Sequence, residues 1–170
     1  MTPIRLKISA PKPDGIPEPN IGIGGMFQRF TWLNGASNYA FVYILRAGDT
    51  NSYKVGFARD VEQRILTLQT GSADKLVVVK DYWLPDVGLA IRAEKAAHRR
   101  FEPWRLHGEW FRLTNDIAII GVSLEIRETI KQPAIDGAAW REYSNEVHRQ
   151  VRELNEPLDH RKMQMASGWI

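Results

Sequence analysis

A tyrosine, a lysine and an arginine follow one another within a short stretch of the chain, at Tyr43, Lys54 and Arg64. A phenol can take a proton from water, and an amine and a guanidinium can neutralise charge that develops on a phosphate. Together these side chains are suited to attacking a phosphodiester. They can do so only if the surrounding elements bring them to one place.

Two strands and a turn account for the first part of this stretch. Residues 40–45 are apolar, β-branched and aromatic, which predicts a strand that is buried on at least one face. Residues 46–51 are rich in turn formers, so residues 52–57 are predicted to return as the antiparallel partner. Tyr43 and Lys54 are therefore expected on neighbouring strands.

A short helix is predicted next. Asp60 can cap it together with Gln63, and an apolar residue recurs at i, i+4 and i+7 from Val61. The helix is expected to end at Gly71. Arg64 falls in its second turn, beside the apolar stripe, where it can point toward the hairpin.

Further elements complete the predicted fold. Residues 76–84 predict a strand, and a helix from about Gly88 to Trp104 carries a stripe of mostly small residues, with Glu94 and His98 on the same side one turn apart. Another short strand and a helix ending at Ile130 follow. The prediction is an α/β fold of the α+β type, with a small, mostly antiparallel three-stranded sheet flanked by helices.

The order of these residues resembles the GIY-YIG endonucleases. Phe41-Val42-Tyr43, Lys54-Val55-Gly56 and Arg64 are similar to the paired signature and the helical arginine of that family. The similarity is to the branch named for a meiotically up-regulated gene, found in phage and bacteria, in which Tyr-Lys-Ile-Gly replaces the second signature. Glu94, His98, Phe101 and the segment 108–111 also match that branch. The first signature glycine is replaced by Phe41.

The resemblance implies roles for individual residues in a metal-dependent DNA endonuclease. Tyr43 would activate water, Arg64 would bind phosphate, and Glu94 would bind Mg²⁺ or Mn²⁺. Lys54 would either lower the pKa of the Tyr43 phenol or contact the phosphate directly. His98 would act catalytically on a water or the phosphate, or else bond a backbone carbonyl.

Other residues near the signature have less defined roles. Glu109 is either a second acid at the site or an exposed side chain. Tyr53 is expected to pack in the sheet, and Trp110 and Phe111 to form the core or a wall of the cleft.

Charge and composition limit the possible binding partners of the protein. The 170-residue chain has a net charge of +3 and a pI of about 9.3, which permits nucleic-acid binding. The phosphate backbone of DNA is the expected partner. Arg59, Arg99, Arg100 and Arg105 are the candidate DNA-binding residues. No cysteine is present, so disulfides and thiolate metal sites are excluded.

The absence of a membrane-length apolar run and of a signal-peptide core favours a cytoplasmic location and excludes a membrane partner. Two other functions stay open. One is a nucleic-acid-binding module of the same fold that does not cut, and the other is a phage-associated interaction protein.

Three regions are predicted along the chain. Residues 1–37 form an extended arm rich in proline and glycine, residues 38–132 form the GIY-YIG-like nuclease domain, and residues 133–170 form an amphipathic helix and a tail. The apolar stripe of that last helix starts at Trp140. It is explained by packing on the sheet or on the preceding helix, or alternatively by homodimerisation or DNA docking.

Overall fold

The computed structural model describes residue 6 and residues 8–16, 19–24, 27–32 and 38–167, with side chains described for residues 6, 8–16 and 38–153. The strands are β1 (Pro19–Gly24), β2 (Phe27–Trp32), β3 (Ala40–Ala47), β4 (Ser52–Ala58), β5 (Leu76–Leu84), β6 (Arg105–His107), β7 (Trp110–Arg112) and β8 (Ile135–Asp136). The helices are α1 (Val61–Gln69), α2 (Val87–Phe101), α3 (Asn115–Ile130) and α4 (Gly137–Ser167), and a 3-10 turn spans Glu102–Trp104.

Six strands form the main sheet in the order β6-β7-β4-β3-β5-β8, and every neighbouring pair is antiparallel. The α+β class is confirmed, but the predicted number of three strands is wrong. Three further strands extend the sheet: β6, β7 and β8, which are three, three and two residues long. Segments this short cannot show the alternation that identifies a strand in sequence.

The hairpin of β3 and β4 lies at the centre of the sheet, as predicted. Tyr43 stands opposite Gly56, and Lys54 stands opposite Leu45, so all four belong to the same face of the hairpin. Lys54 is also paired with Trp110 of β7 on its other side. The register therefore places the candidate phenol and amine two residues apart along one face.

Helices cover both faces of the sheet. On one face, α2 and α3 pack on even-numbered residues of β3, and the small stripe of α2 at Ala90, Ala93 and Ala97 is fully buried there. On the other face, α1 and α4 pack on odd-numbered residues of β3. Tyr43 belongs to this second face.

The helix boundaries follow their predicted caps. The Asp60 carboxylate accepts a hydrogen bond from the Gln63 amide at 2.9 Å, and α1 ends at Gln69, just before Gly71. Asp86 caps α2 in the same way through the amide of Gly88 at 2.7 Å. The cap of α1 fixes the turn that carries Arg64.

The two ends of the chain depart from the sequence expectation. Strands β1 and β2 pair as an antiparallel hairpin within the proline- and glycine-rich arm. Helix α4 continues to Ser167, through most of the predicted tail. Its residues Trp140, Tyr143 and Val147 are buried against the sheet, which confirms packing as one role of the stripe. None of the helices in the described ranges combines the length and apolar character needed to cross a membrane.

Candidate active site

The Tyr43 side chain lies across Gly56, its partner residue on β4. A Cβ atom at Gly56 would stand 2.5 Å from Cζ of Tyr43 and closer still to the phenol oxygen. No side chain can occupy that position without displacing the ring. The glycine therefore allows the phenol to reach over β4 toward its outer edge, which β7 covers only from Ser52 to Lys54.

The Arg64 side chain lies near the Tyr43 hydroxyl and lowers the pKa of the phenol, both by hydrogen bonding and by its positive charge. Burial raises the pKa of Tyr43 above 10.0, whereas this hydrogen bond and the positive charge of Arg64 lower it. The negative charges of Glu109 and Glu94 raise the pKa further, by smaller contributions. Burial prevails. Of the two alternatives predicted for Lys54, tuning of the phenol has less support, because the charge that lowers the pKa of Tyr43 is that of Arg64 on α1.

Lys54 instead forms an ion pair with Glu109, from the turn between β6 and β7. The Lys54 side chain is 8 % exposed and that of Glu109 is 46 % exposed, so the amine is held largely out of water and the carboxylate is not. Burial alone would raise the pKa of Glu109, but the hydrogen bond and charge of Lys54 leave it below its usual range. Glu109 is thus charged, and it belongs to the site.

Glu94 reaches the same place from α2. Burial and the neighbouring charge of Glu109 raise its pKa from 4.5 to about 7, against smaller opposing effects of Lys54, Lys95 and Arg64. The residue is 8 % exposed. Among the described residues, no side chain hydrogen-bonds or ion-pairs with its carboxylate. A buried carboxylate beside a second negative charge is stabilised by a cation.

His98 lies one turn further along α2, and its Nε2 atom is 2.9 Å from the carbonyl oxygen of Val55. A carbonyl only accepts, so Nε2 is the donor in this bond. The ring also lies against Phe111, with centroids 5.3 Å apart. The structure favours the carbonyl-bonded alternative for His98. The bond ties α2 to β4 just past the end of β7 and so sets the position of Glu94.

The four candidate DNA-binding arginines are not gathered at this site. Arg59 bonds Asn38, Arg100 pairs with Glu125 at 2.6 Å, and Arg105 pairs with Glu102 at 2.6 Å. Arg99 is exposed on α2.

Arg99 continues an exposed row on α2 with Arg92 and Lys95 at helical spacing. We call these three residues the basic ridge. No ion pair holds any of them in the parts of the chain that the structure describes. The structure thus separates these three cations from the neighbouring Arg100 and Arg105, which are held in ion pairs.

The side chains at this site that could bind a metal ion are carboxylates. In the described ranges, no group of three or more His, Cys, Asp or Glu side chains is placed to hold a metal ion. Glu94 and Glu109 are the acidic pair of the site. Oxygen ligands of this kind suit Mg²⁺ or Mn²⁺, which fill their remaining positions with water and substrate oxygens.

The candidate site thus combines a phenol, three charged side chains and a carboxylate that is unpaired among the described residues, on a small antiparallel sheet. The T5orf172 domain matches residues 40–132, which is more than half of the chain. The chain belongs to this family, a phage-associated domain in a nuclease-like context. No curated protein and no solved structure matches the chain.

Proposed function

We propose that the protein is a metal-dependent DNA endonuclease that hydrolyses phosphodiester bonds through a GIY-YIG-like site. The observation that carries this proposal is the Glu94 carboxylate, which is buried, unpaired among the described residues and adjacent to Glu109. Lys54 and Arg64 lower the pKa of Glu94, and both carboxylates raise that of Tyr43, so these side chains lie within electrostatic range of one another. Membership of a nuclease-like family supports the assignment.

Glu94 would hold the metal ion, and Glu109 is placed to join it. When bound, Mg²⁺ or Mn²⁺ would withdraw charge from the phosphate oxygens and favour attack on phosphorus. Metal binding requires ionised Glu94. Because the pKa of Glu94 is raised to about 7, the free site carries its full negative charge only above neutral pH.

Tyr43 would take a proton from the attacking water. Burial keeps the phenol largely protonated at neutral pH, and the Arg64 hydrogen bond partly opposes this effect. The phenolate fraction, and with it the rate, is expected to rise toward alkaline pH. Arg64 has a planar fork of donors, so the same guanidinium can hold both Tyr43 and a phosphate oxygen.

Lys54 would contact the phosphate as a point charge. Its amine is occupied by Glu109 in the free protein. A substrate phosphate at Lys54 would compete with Glu109, and the displaced carboxylate would then be available to the metal. Substrate and metal binding are coupled in this arrangement.

The basic ridge would hold the DNA backbone beside the site. Arg92 and Arg99 are seven residues apart on α2, a distance of about 10 Å at 1.5 Å per residue. Lys95 lies between them and is one of the charges that lower the pKa of the adjacent Glu94. The ridge therefore runs alongside the carboxylate that would bind metal, which is where the phosphates next to the cut must pass.

A plasmid-nicking assay with Mg²⁺, Mn²⁺ or EDTA, run beside a gel-shift assay in EDTA, tests the proposal. The wild-type protein should nick with either metal and not in EDTA. Glu94→Gln should bind DNA and fail to cut, whereas Glu142→Gln, on the exposed side of α4, should cut normally.

Other outcomes of the two assays point elsewhere. DNA binding without cleavage at any metal concentration would replace the proposal with a non-cutting binding module. Neither cleavage nor binding would favour a phage-associated interaction protein. Equal cleavage by Glu94→Gln and wild type would exclude Glu94 as the metal ligand.

A further inference from the structure

A cavity of about 540 Å³ lies next to the candidate active site. It is bounded by the end of α1 and the following loop, by the tip of the β3-β4 hairpin, and by β6 and β7. Its volume lies within the range of small-molecule sites in proteins, about 300–1,000 Å³. The catalytic roles proposed above do not use this space.

The cavity shares Lys54 with the active site. Among its lining residues in the described part of the chain, Lys54 is the only lysine or arginine, and Asp74 is the only carboxylate. A phosphate can therefore bind at the Lys54 end, where it would replace Glu109 as the partner of the amine, and it is repelled at the Asp74 end. A ligand that enters with its phosphate on Lys54 must place an uncharged part in the remaining space.

The remaining wall suits a flat, largely apolar group. It is lined by the apolar side chains of Leu68, Leu76, Leu106 and Trp110. Leu106 is 39 % exposed, and Trp110 is half-buried. Trp110 is paired with Lys54 across β4 and β7, so an aromatic surface stands directly beside the amine. Nucleobases stack on such rings with little dependence on sequence.

We propose that this cavity is a nucleobase-binding site for an unpaired nucleotide whose phosphate is held by Lys54. The inference rests on the proposed nuclease function and narrows its substrate. A base inside a duplex is stacked and paired, and extruding it costs a few kcal/mol unless it is already unpaired. The substrate class is therefore DNA with an unpaired or displaced nucleotide next to the cleaved bond.

Binding of single nucleotides tests the site without any cleavage. Saturation-transfer NMR on the full chain in EDTA should show 2′-deoxyadenosine 5′-monophosphate bound through its base protons. Deoxyribose 5-phosphate, which lacks the base, should bind to wild type at least about fivefold more weakly than the nucleotide does. The nucleotide itself should bind to Trp110→Ala at least about fivefold more weakly than to wild type. Equal affinity for the two ligands would overturn the base site.

Cleavage of paired substrates tests the narrowed substrate class. In Mg²⁺, a duplex with one unpaired nucleotide should be cut at least about fivefold faster than the fully paired duplex. Trp110→Ala should lose this preference. Trp104→Ala is the matched control, because Trp104 is 49 % exposed, stands close by in the chain and does not line the cavity.

A second variant covers the possibility that Trp110→Ala fails to fold. Ala73 lines the cavity from an exposed loop position, so Ala73→Trp should fill the space and leave β7 intact. It should abolish nucleotide binding and the preference for the unpaired nucleotide, with an unchanged melting temperature. Retention of both properties would overturn the proposal.

The failure of this proposal can be told apart from failure of the nuclease proposal. Cleavage of both duplexes at one rate, with no effect of Trp110→Ala or Ala73→Trp, would remove the base site and leave the endonuclease. Nucleotide binding that both variants abolish, in a protein that cuts no DNA, would support the base site and exclude the nuclease.

Discussion

Replacing Glu94 by glutamine is expected to make the metal-free protein more stable. The free energy involved follows from the pKa of Glu94, which burial and Glu109 raise from 4.5 to about 7. This difference of about 2.5 pH units, at about 1.4 kcal/mol each, corresponds to about 3.5 kcal/mol. The fold bears this cost whenever Glu94 is ionised.

The sign and the pH window follow from proton linkage. Between pH 4.5 and about 7 the folded protein holds a proton on Glu94 that the unfolded chain releases. The contribution of Glu94 to stability therefore falls as the pH rises through this window, and the cost is complete above about pH 7. Glutamine keeps the shape of the side chain and removes the titration.

Unfolding in urea at pH 5 and pH 8, both in EDTA, measures the effect. Glu94→Gln should exceed wild type in the free energy of unfolding by about 3 kcal/mol at pH 8 and by under about 1 kcal/mol at pH 5. Glu142→Gln, at an exposed position, should stay within about 0.5 kcal/mol of wild type at both values. Added Mg²⁺ should stabilise wild type and Glu142→Gln but not Glu94→Gln.

Two results would refute this reasoning. An equal increment at pH 5 and pH 8 would show that titration of Glu94 is not the cause. A variant less stable than wild type at pH 8 would show that the carboxylate makes favourable contacts, in which case it is a structural residue and not a site kept for a cation.

The remaining predictions concern the cations and the phenol. Tyr43→Phe should reduce cleavage by a factor on the order of 10² with little change in melting temperature, since only the hydroxyl is lost; an early-melting variant with normal specific activity would identify a packing residue. Arg64→Ala should raise the pKa of Tyr43 and move the rising limb of the pH-rate profile upward, whereas Lys54→Ala should lower the rate and leave that limb in place. The opposite pattern would restore Lys54 as the tuning group. Arg64→Lys should remain severely impaired in cleavage, because an amine cannot hold the phenol and a phosphate oxygen in one planar fork. Cleavage by this variant at the wild-type rate would show that only the charge of Arg64 matters. In salt-dependent gel shifts, Arg99→Ala should lower the slope by about one, and Arg105→Ala, whose guanidinium is paired with Glu102, by less. If the slope for Arg99→Ala equals that of wild type, the basic ridge does not contact phosphate.

Local signals in the sequence were sufficient for the hairpin and the helices. The cap at Asp60, the turn formers after Leu45 and the small stripe of α2 act over a few residues, so each predicted its element and nearly its boundaries. The positions of Tyr43, Lys54 and Arg64 on these elements followed directly.

Contacts between distant parts of the chain were not predictable in this way. Lys54 and Glu109 meet only because β7 pairs with β4, and β7 is three residues long. The sequence therefore left two points open: whether Glu109 belongs to the site, and whether Lys54 acts on the Tyr43 phenol or on the phosphate. Similarly, the apolar run at Val77 and Val78 is typical of a buried central strand, but both valines are exposed, in a part of β5 that β8 does not reach.

The packing of α4 has a consequence for where this protein can be divided. The family match ends at residue 132, yet Trp140 stacks on Trp83 at 5.6 Å, and Arg141 both pairs with Asp81 and covers the ring of Phe41 at 4.5 Å. A fragment that stops at the family boundary would leave one face of the sheet, including the strand of Tyr43, open to water. The folding unit is thus longer than the region that the family shares. A fragment made for assays has to retain α4.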